Sequence, residues 1–149
     1  MKLTYTLVIV LVLSCSRLVM AESSDPNLPL LQIATSIVEV KSVGYWEKGE
    51  KHGHYRIVVV DEGWEHIRSQ VYIQALEEAE DPNQDDLVLS TLPVKEVNDP
   101  DIWSVGILRT SFIKQKIVVI LNGSNSYSPS EKKQFRLTLL EPGKYQLAP

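Results

Sequence analysis

Thiol chemistry is almost absent from this chain of 149 residues, because its one cysteine is Cys15, inside an apolar N-terminal stretch. If that stretch is removed, no disulfide, thiolate zinc site or iron–sulfur cluster can form. Two common hydrolase signatures are also missing: the Gly-x-Ser-x-Gly elbow and the His-Glu-x-x-His helix. We therefore expect a non-catalytic protein, although a small hydrolase whose site is assembled from distant strands remains an alternative.

Positive charge is also scarce. The chain has 15 Lys and Arg residues against 19 Asp and Glu residues, and its net charge is −4. The basic residues are scattered along the sequence, and we see no basic stripe that could neutralise phosphates. This composition disfavours nucleic acids and anionic membrane surfaces as partners. It leaves an unknown extracytoplasmic protein or a glycan as the expected partner.

The N-terminus has the layout of a secretory signal peptide. Lys2 precedes an apolar run over residues 3–14, and Val19-Met20-Ala21 resembles a cleavage site. The run is shorter than the ~20 residues that cross a membrane. We expect a signal peptide at 1–21, a flexible lead-in at 22–32 and a domain at 33–149. The mature protein would then be periplasmic or secreted, with no membrane span and a net charge of −6 (13 basic, 19 acidic).

A second processing route is open at the same segment. Val12-Leu13-Ser14-Cys15 is similar to a bacterial lipobox, although Leu13 is bulky where a small residue is usual. Lipid attachment at Cys15 would anchor the protein to a membrane. The segment after Cys15 is not the polar tether that usually follows such an anchor, so the soluble form is preferred.

Short runs of branched and apolar residues separated by turn signals predict an all-β domain. Such spacing is typical of an antiparallel β-sandwich of about seven strands, with a small barrel as the alternative. Ser128-Pro129-Ser130-Glu131 fits a capping box and predicts a helical turn at 129–133. The seven candidate strands are 37–43, 55–60, 67–74, 87–92, 103–108, 116–121 and 135–140.

Alternation along the third candidate strand predicts one polar face. Because side chains of a strand point to opposite sides in turn, residues 68, 70, 72 and 74 share a side. Tyr72 is the aromatic residue that we most expect to be exposed. A mixture of Arg, Gln and Tyr is more common at interfaces than on other surfaces. The predicted partner-binding residues are Arg56, Arg68, Gln70, Tyr72 and Gln74.

Histidines give a rival prediction, a metal site. His52 and His54 would point to the same side of a strand, and a hairpin through residues 61–63 could return His66 towards them. Three imidazoles could hold copper or zinc. The simpler interpretation is a solvated hairpin tip, so we expect no cofactor. Asn122-Gly123-Ser124 is a glycosylation sequon, and we interpret the tripeptide as a turn.

Overall fold

The computed structural model describes residues 35–148 as eight β-strands and one short helix, α1. The first four strands are β1 (Ile37–Lys48), β2 (Lys51–Glu62), β3 (Arg68–Glu77) and β4 (Leu87–Pro93). Then follow α1 (Lys95–Asn98), β5 (Trp103–Ile113), β6 (Lys116–Asn125), β7 (Lys132–Glu141) and β8 (Lys144–Ala148).

Each set of four consecutive strands forms its own antiparallel sheet. The first sheet has the order β1-β2-β3-β4 and the second the order β5-β6-β7-β8. The two sheets remain separate, so the sandwich is confirmed and the barrel alternative is wrong. All seven expected strands are present. The eighth, β8, is not among the seven candidate strands; it pairs with β7 through the Glu141–Lys144 turn.

Alternation within the strands builds the core between the sheets. In β3 every second residue from Ser69 to Ala75 is buried, and the residues between them are half-buried. Ile57 and Val59 of β2 and Leu121 and Leu137 of the second sheet are fully enclosed. Burying these aliphatic side chains between the two sheets is the main stabilising contribution to the fold.

Two polar side chains bind backbone groups of neighbouring elements: Ser69 joins the two sheets, and Asn98 joins α1 to β3. The Ser69 hydroxyl donates to Asp61 (2.6 Å) and accepts from the Val105 N–H (2.9 Å). The Asn98 amide accepts from the Val71 N–H (2.8 Å) and donates to the Val71 carbonyl (3.1 Å). Asn98 thus extends the first sheet by one pair of hydrogen bonds beyond Pro93 and fixes α1 against β3.

Two local expectations are wrong. Asn122-Gly123-Ser124 is not a turn, because it lies inside β6. The 128–131 segment is a tight turn closed by the Glu131 N–H and the Ser128 carbonyl (2.8 Å), and β7 begins at Lys132 before a helix could form. The predicted signal peptide, Cys15 and the lead-in at 22–32 lie outside the described residues. No helix within 35–148 has the length and apolar character needed to cross a membrane.

Candidate functional site

The outer face of the first sheet carries an apolar row that crosses all four strands. The strand register pairs Val40 with Val58, Val58 with Tyr72, and Tyr72 with Pro93. Directly paired residues project to the same side of a sheet, and here the opposite side is the core containing Val59 and Val71. We call Val40, Val58, Tyr72 and Pro93 the outer apolar row.

Water reaches this row along its length. Val40 is 53% exposed, and the other three members are half-buried. An antiparallel sheet with one wet face normally places polar residues there. Valine, tyrosine and proline side by side on such a face therefore form a surface suited to a further apolar contact.

A polar row lies next to it on the same face, two residues along the strands. Arg56 Nε donates to Gln74 Oε1 (2.6 Å), and Gln74 Nε2 donates to Thr91 Oγ1 (3.1 Å). These contacts fix the two long side chains in extended positions across β2, β3 and β4. Within residues 35–148 the Arg56 side chain donates through Nε, which leaves its terminal guanidinium N–H groups for further hydrogen bonds.

Four of the five predicted partner-binding residues lie together. Arg56, Gln70, Tyr72 and Gln74 occupy the outer side of β2 and β3, where Gln70 pairs with Val60. Arg68 is at the end of β3 and forms an ion pair with Asp101, which precedes β5. Its position makes Arg68 an anchor for the connection between the sheets rather than part of the open face.

Exposure of the aromatic residues differs from expectation. Tyr72 is half-buried between its cross-strand neighbours, whereas Trp64 is 94% and Tyr45 77% exposed. Trp64 lies in the loop between β2 and β3, where its polar neighbours Glu62 and Glu65 are typical of an exposed segment. Tyr72 is therefore an interior member of a packed row, between Val58 and Pro93, and not an isolated projecting ring.

Sequence reasoning missed Val40, Val58 and Pro93, the residues that make the face apolar. One signal was available for Val58, because the run Ile57-Val58-Val59-Val60 does not alternate. A continuous apolar run is typical of a strand covered on both sides. The other two missed residues, Val40 of β1 and Pro93 of β4, reach this face through strand pairing, which the sequence pattern leaves open.

The three histidines do not form one site. His54 pairs with Leu76 near one end of the β2–β3 hairpin, whereas His66 follows β2 at the opposite end. His52 lies 3.6 Å from Glu78, His54 lies 3.6 Å from Asp86, and His66 Nδ1 lies 3.1 Å from the Ser126 carbonyl. Within residues 35–148 no three His, Cys, Asp or Glu side chains are arranged to hold a metal ion.

One end of the sandwich contains a small cleft above Tyr55. The cleft has a volume of about 180 Å³, and Tyr45, Trp46 and Phe112 contribute to its walls. The buried Tyr55 hydroxyl has no hydrogen-bond partner among the described residues. Burial, helped by the charge of Glu141, raises the pKa of Tyr55 to about 12. The hydroxyl therefore stays protonated at neutral pH and cannot act as a base there.

The chain matches no protein-family model, no curated protein and no solved structure in the comparisons made. We therefore infer a function from the chemistry of the exposed faces of the two sheets.

Proposed function

We propose that this protein is an exported, non-catalytic binding module that holds a protein partner on the outer face of its first sheet. The observation that carries the proposal is the outer apolar row, Val40, Val58, Tyr72 and Pro93, which crosses the sheet and remains accessible to water. Export is supported by the signal-peptide layout of residues 1–21.

The chemistry of this face favours a protein over a glycan. Protein interfaces combine an apolar centre without charges with a polar rim that forms hydrogen bonds. The outer apolar row supplies such a centre, and Arg56, Gln70 and Gln74 supply the rim. Because Arg56 and Gln74 are already held by hydrogen bonds, less side-chain freedom would be lost on association.

A matched pair of double variants tests this proposal. Val40→Lys with Tyr72→Ala places a charge in the row and removes its aromatic member. Ile113→Lys with Tyr127→Ala makes the same changes at exposed positions outside the first sheet. We expect quantitative affinity purification from the native source to recover a partner with wild type and with the control pair, and to lose it with the first pair.

Thermal unfolding separates loss of contact from loss of fold. Equal recovery by both pairs would contradict the proposal. So would lower stability of the first pair without any change in the amount of bound protein.

A further inference from the structure

Charge is strongly segregated between the two halves of the structure. Residues 35–102 contain 15 acidic and 6 basic residues, whereas residues 103–148 contain 2 acidic and 7 basic residues. The net charge of −4 hides this division. The expectation that basic residues are merely scattered is therefore wrong for the second sheet.

Strand register collects several of these cations on the outer face of the second sheet. Ile120 of β6 pairs with Arg109 on one side and Arg136 on the other, and Ser124 pairs with Lys132. Neighbouring strands are about 4.8 Å apart, so the two arginines stand about 10 Å apart across the sheet. All three cations are exposed, and none of the ion pairs within residues 35–148 involves them.

A trough lined by polar residues and one glycine lies beside these cations. It has a volume of about 530 Å³. Lys132 Nζ donates to Ser124 Oγ (2.7 Å), and Lys133 Nζ lies over the Trp103 and Phe135 rings, 5.7 and 5.0 Å from their centroids. The Lys132 ammonium group is therefore held at the rim, whereas the Lys133 ammonium group lies against rings that belong to the core. The other lining residues are Ser104, Asn122, Gly123, Ser124 and Gln134.

We infer that this trough binds an acidic polysaccharide, a glycan chain that carries carboxylate or sulfate groups. Arg109, Lys132 and Arg136 supply charge-assisted hydrogen bonds to the anionic groups. Asn122 and Gln134, which pair across β6 and β7, supply amide donors and acceptors that suit sugar hydroxyls. This site is on the opposite sheet from the outer apolar row and does not depend on the function proposed for that row.

The lining of the trough favours a glycan over other polyanions. An acidic protein would need an apolar or aromatic anchor, and none of the exposed large apolar side chains lines the trough. A single-stranded nucleic acid would need aromatic rings on which its bases could stack. Trp103 and Phe135 are buried under Lys133 and offer no such surface.

Affinity electrophoresis of the full-length chain through gels containing polygalacturonate or dextran sulfate tests the inference. The first variant, Arg109→Gln with Lys132→Gln and Arg136→Gln, removes one charge from the lining of the trough and two charges from the outer face beside it. The control, Lys48→Gln with Lys51→Gln and Lys95→Gln, removes three exposed charges from the other half of the chain. We expect the dissociation constant for the acidic polymers to rise about tenfold or more in the first variant and to change little in the control.

A neutral variant tests recognition of the sugar itself. Asn122→Ala with Gln134→Ala keeps the charge but removes the amides that suit sugar hydroxyls. It should therefore weaken binding to the acidic polysaccharides. Binding to polyglutamate, which is weaker and depends on charge alone, should not change. Three results would overturn the inference: no retardation by either polysaccharide, equal loss in the trough and control variants, or equally tight binding of polyglutamate or DNA. Thermal unfolding of each variant confirms that the fold is intact.

Discussion

At the scale of single residues, buried Tyr55 and half-buried Tyr145 differ in whether their hydroxyls have partners. The Tyr145 hydroxyl donates to Glu96 (2.7 Å) and accepts from the Lys95 N–H (3.1 Å), so it connects β8 to α1. The Tyr55 hydroxyl has no partner among the described residues. A buried hydroxyl without a partner costs stability, whereas a paired one contributes to it.

This contrast gives a prediction about the free energy of unfolding. Tyr145→Phe should lower it by about 1–2 kcal/mol, because two hydrogen bonds are lost and one of them is to a carboxylate. Tyr55→Phe should leave it unchanged or raise it. Urea denaturation of the two variants beside wild type measures both values. Equal destabilisation by the two substitutions would contradict the assignment.

The same pair of variants should change the alkaline limit of stability. Burial raises the pKa of Tyr145 to about 12, and Glu96 contributes to that shift. Burial raises the pKa of Tyr55 to about 12 as well. Since both folded-state values exceed the ordinary value of 10.0, the resulting stabilisation is complete below pH 10 and disappears as the pH rises towards 12. The decline in this window should be smaller in each phenylalanine variant.

At the scale of elements, close strand pairing depends on a glycine in β2. Gly53 lies opposite Glu77, and a Cβ atom added there would be 1.9 Å from the Leu76 carbonyl oxygen. Backbone cannot move aside as a flexible side chain can. By contrast, a Cβ atom added at Gly106 in β5 would meet nothing within 4 Å.

Alanine substitution should therefore lower the free energy of unfolding at the first glycine and leave it almost unchanged at the second. Gly53→Ala should lower the free energy of unfolding by about 2–3 kcal/mol, because the β2–β3 hairpin must separate to admit the methyl group. Gly106→Ala should change it by less than about 0.5 kcal/mol. Thermal or urea unfolding checks both. A Gly53→Ala variant as stable as wild type would show that the register of this hairpin is wrong.

The elements also show what local sequence patterns can establish. Seven strands follow from branched residues and alternation, since those signals are local. β8 was missed because Lys144–Ala148 has only five residues and a weak pattern, and its pairing with β7 makes it a strand. The sequon was interpreted as a turn because Asn-Gly is common in turns, yet in β6 Gly123 is required to leave room for Phe135 and Trp103.

At the scale of the whole molecule, the sandwich presents two chemically different outer faces. One carries the outer apolar row and its polar rim, and the other carries the basic trough. Alternation was enough to predict that Gln70, Tyr72 and Gln74 share a side. The row and the trough need residues from three or four strands, and the same limit explains why His66 was wrongly expected near His54. Which strands become neighbours is decided by long-range pairing and packing, not by local pattern.

Two faces of this kind suit a protein that connects a protein partner to an acidic glycan. Because the sheets are on opposite sides of one core, each face can be altered without altering the other. The paired variants of the row and the trough should therefore affect protein capture and polysaccharide binding independently.

Site-specific photo-crosslinking in the native source tests the partner-binding face most directly. A photoreactive phenylalanine analogue is placed at Val40 or Tyr72 in the first sheet, and at Ser111 or Thr138 on the outer face of the second. The proposed function predicts a discrete crosslinked protein from positions 40 and 72 and none from positions 111 and 138. Equal crosslinking from all four positions, or none from positions 40 and 72, would contradict it.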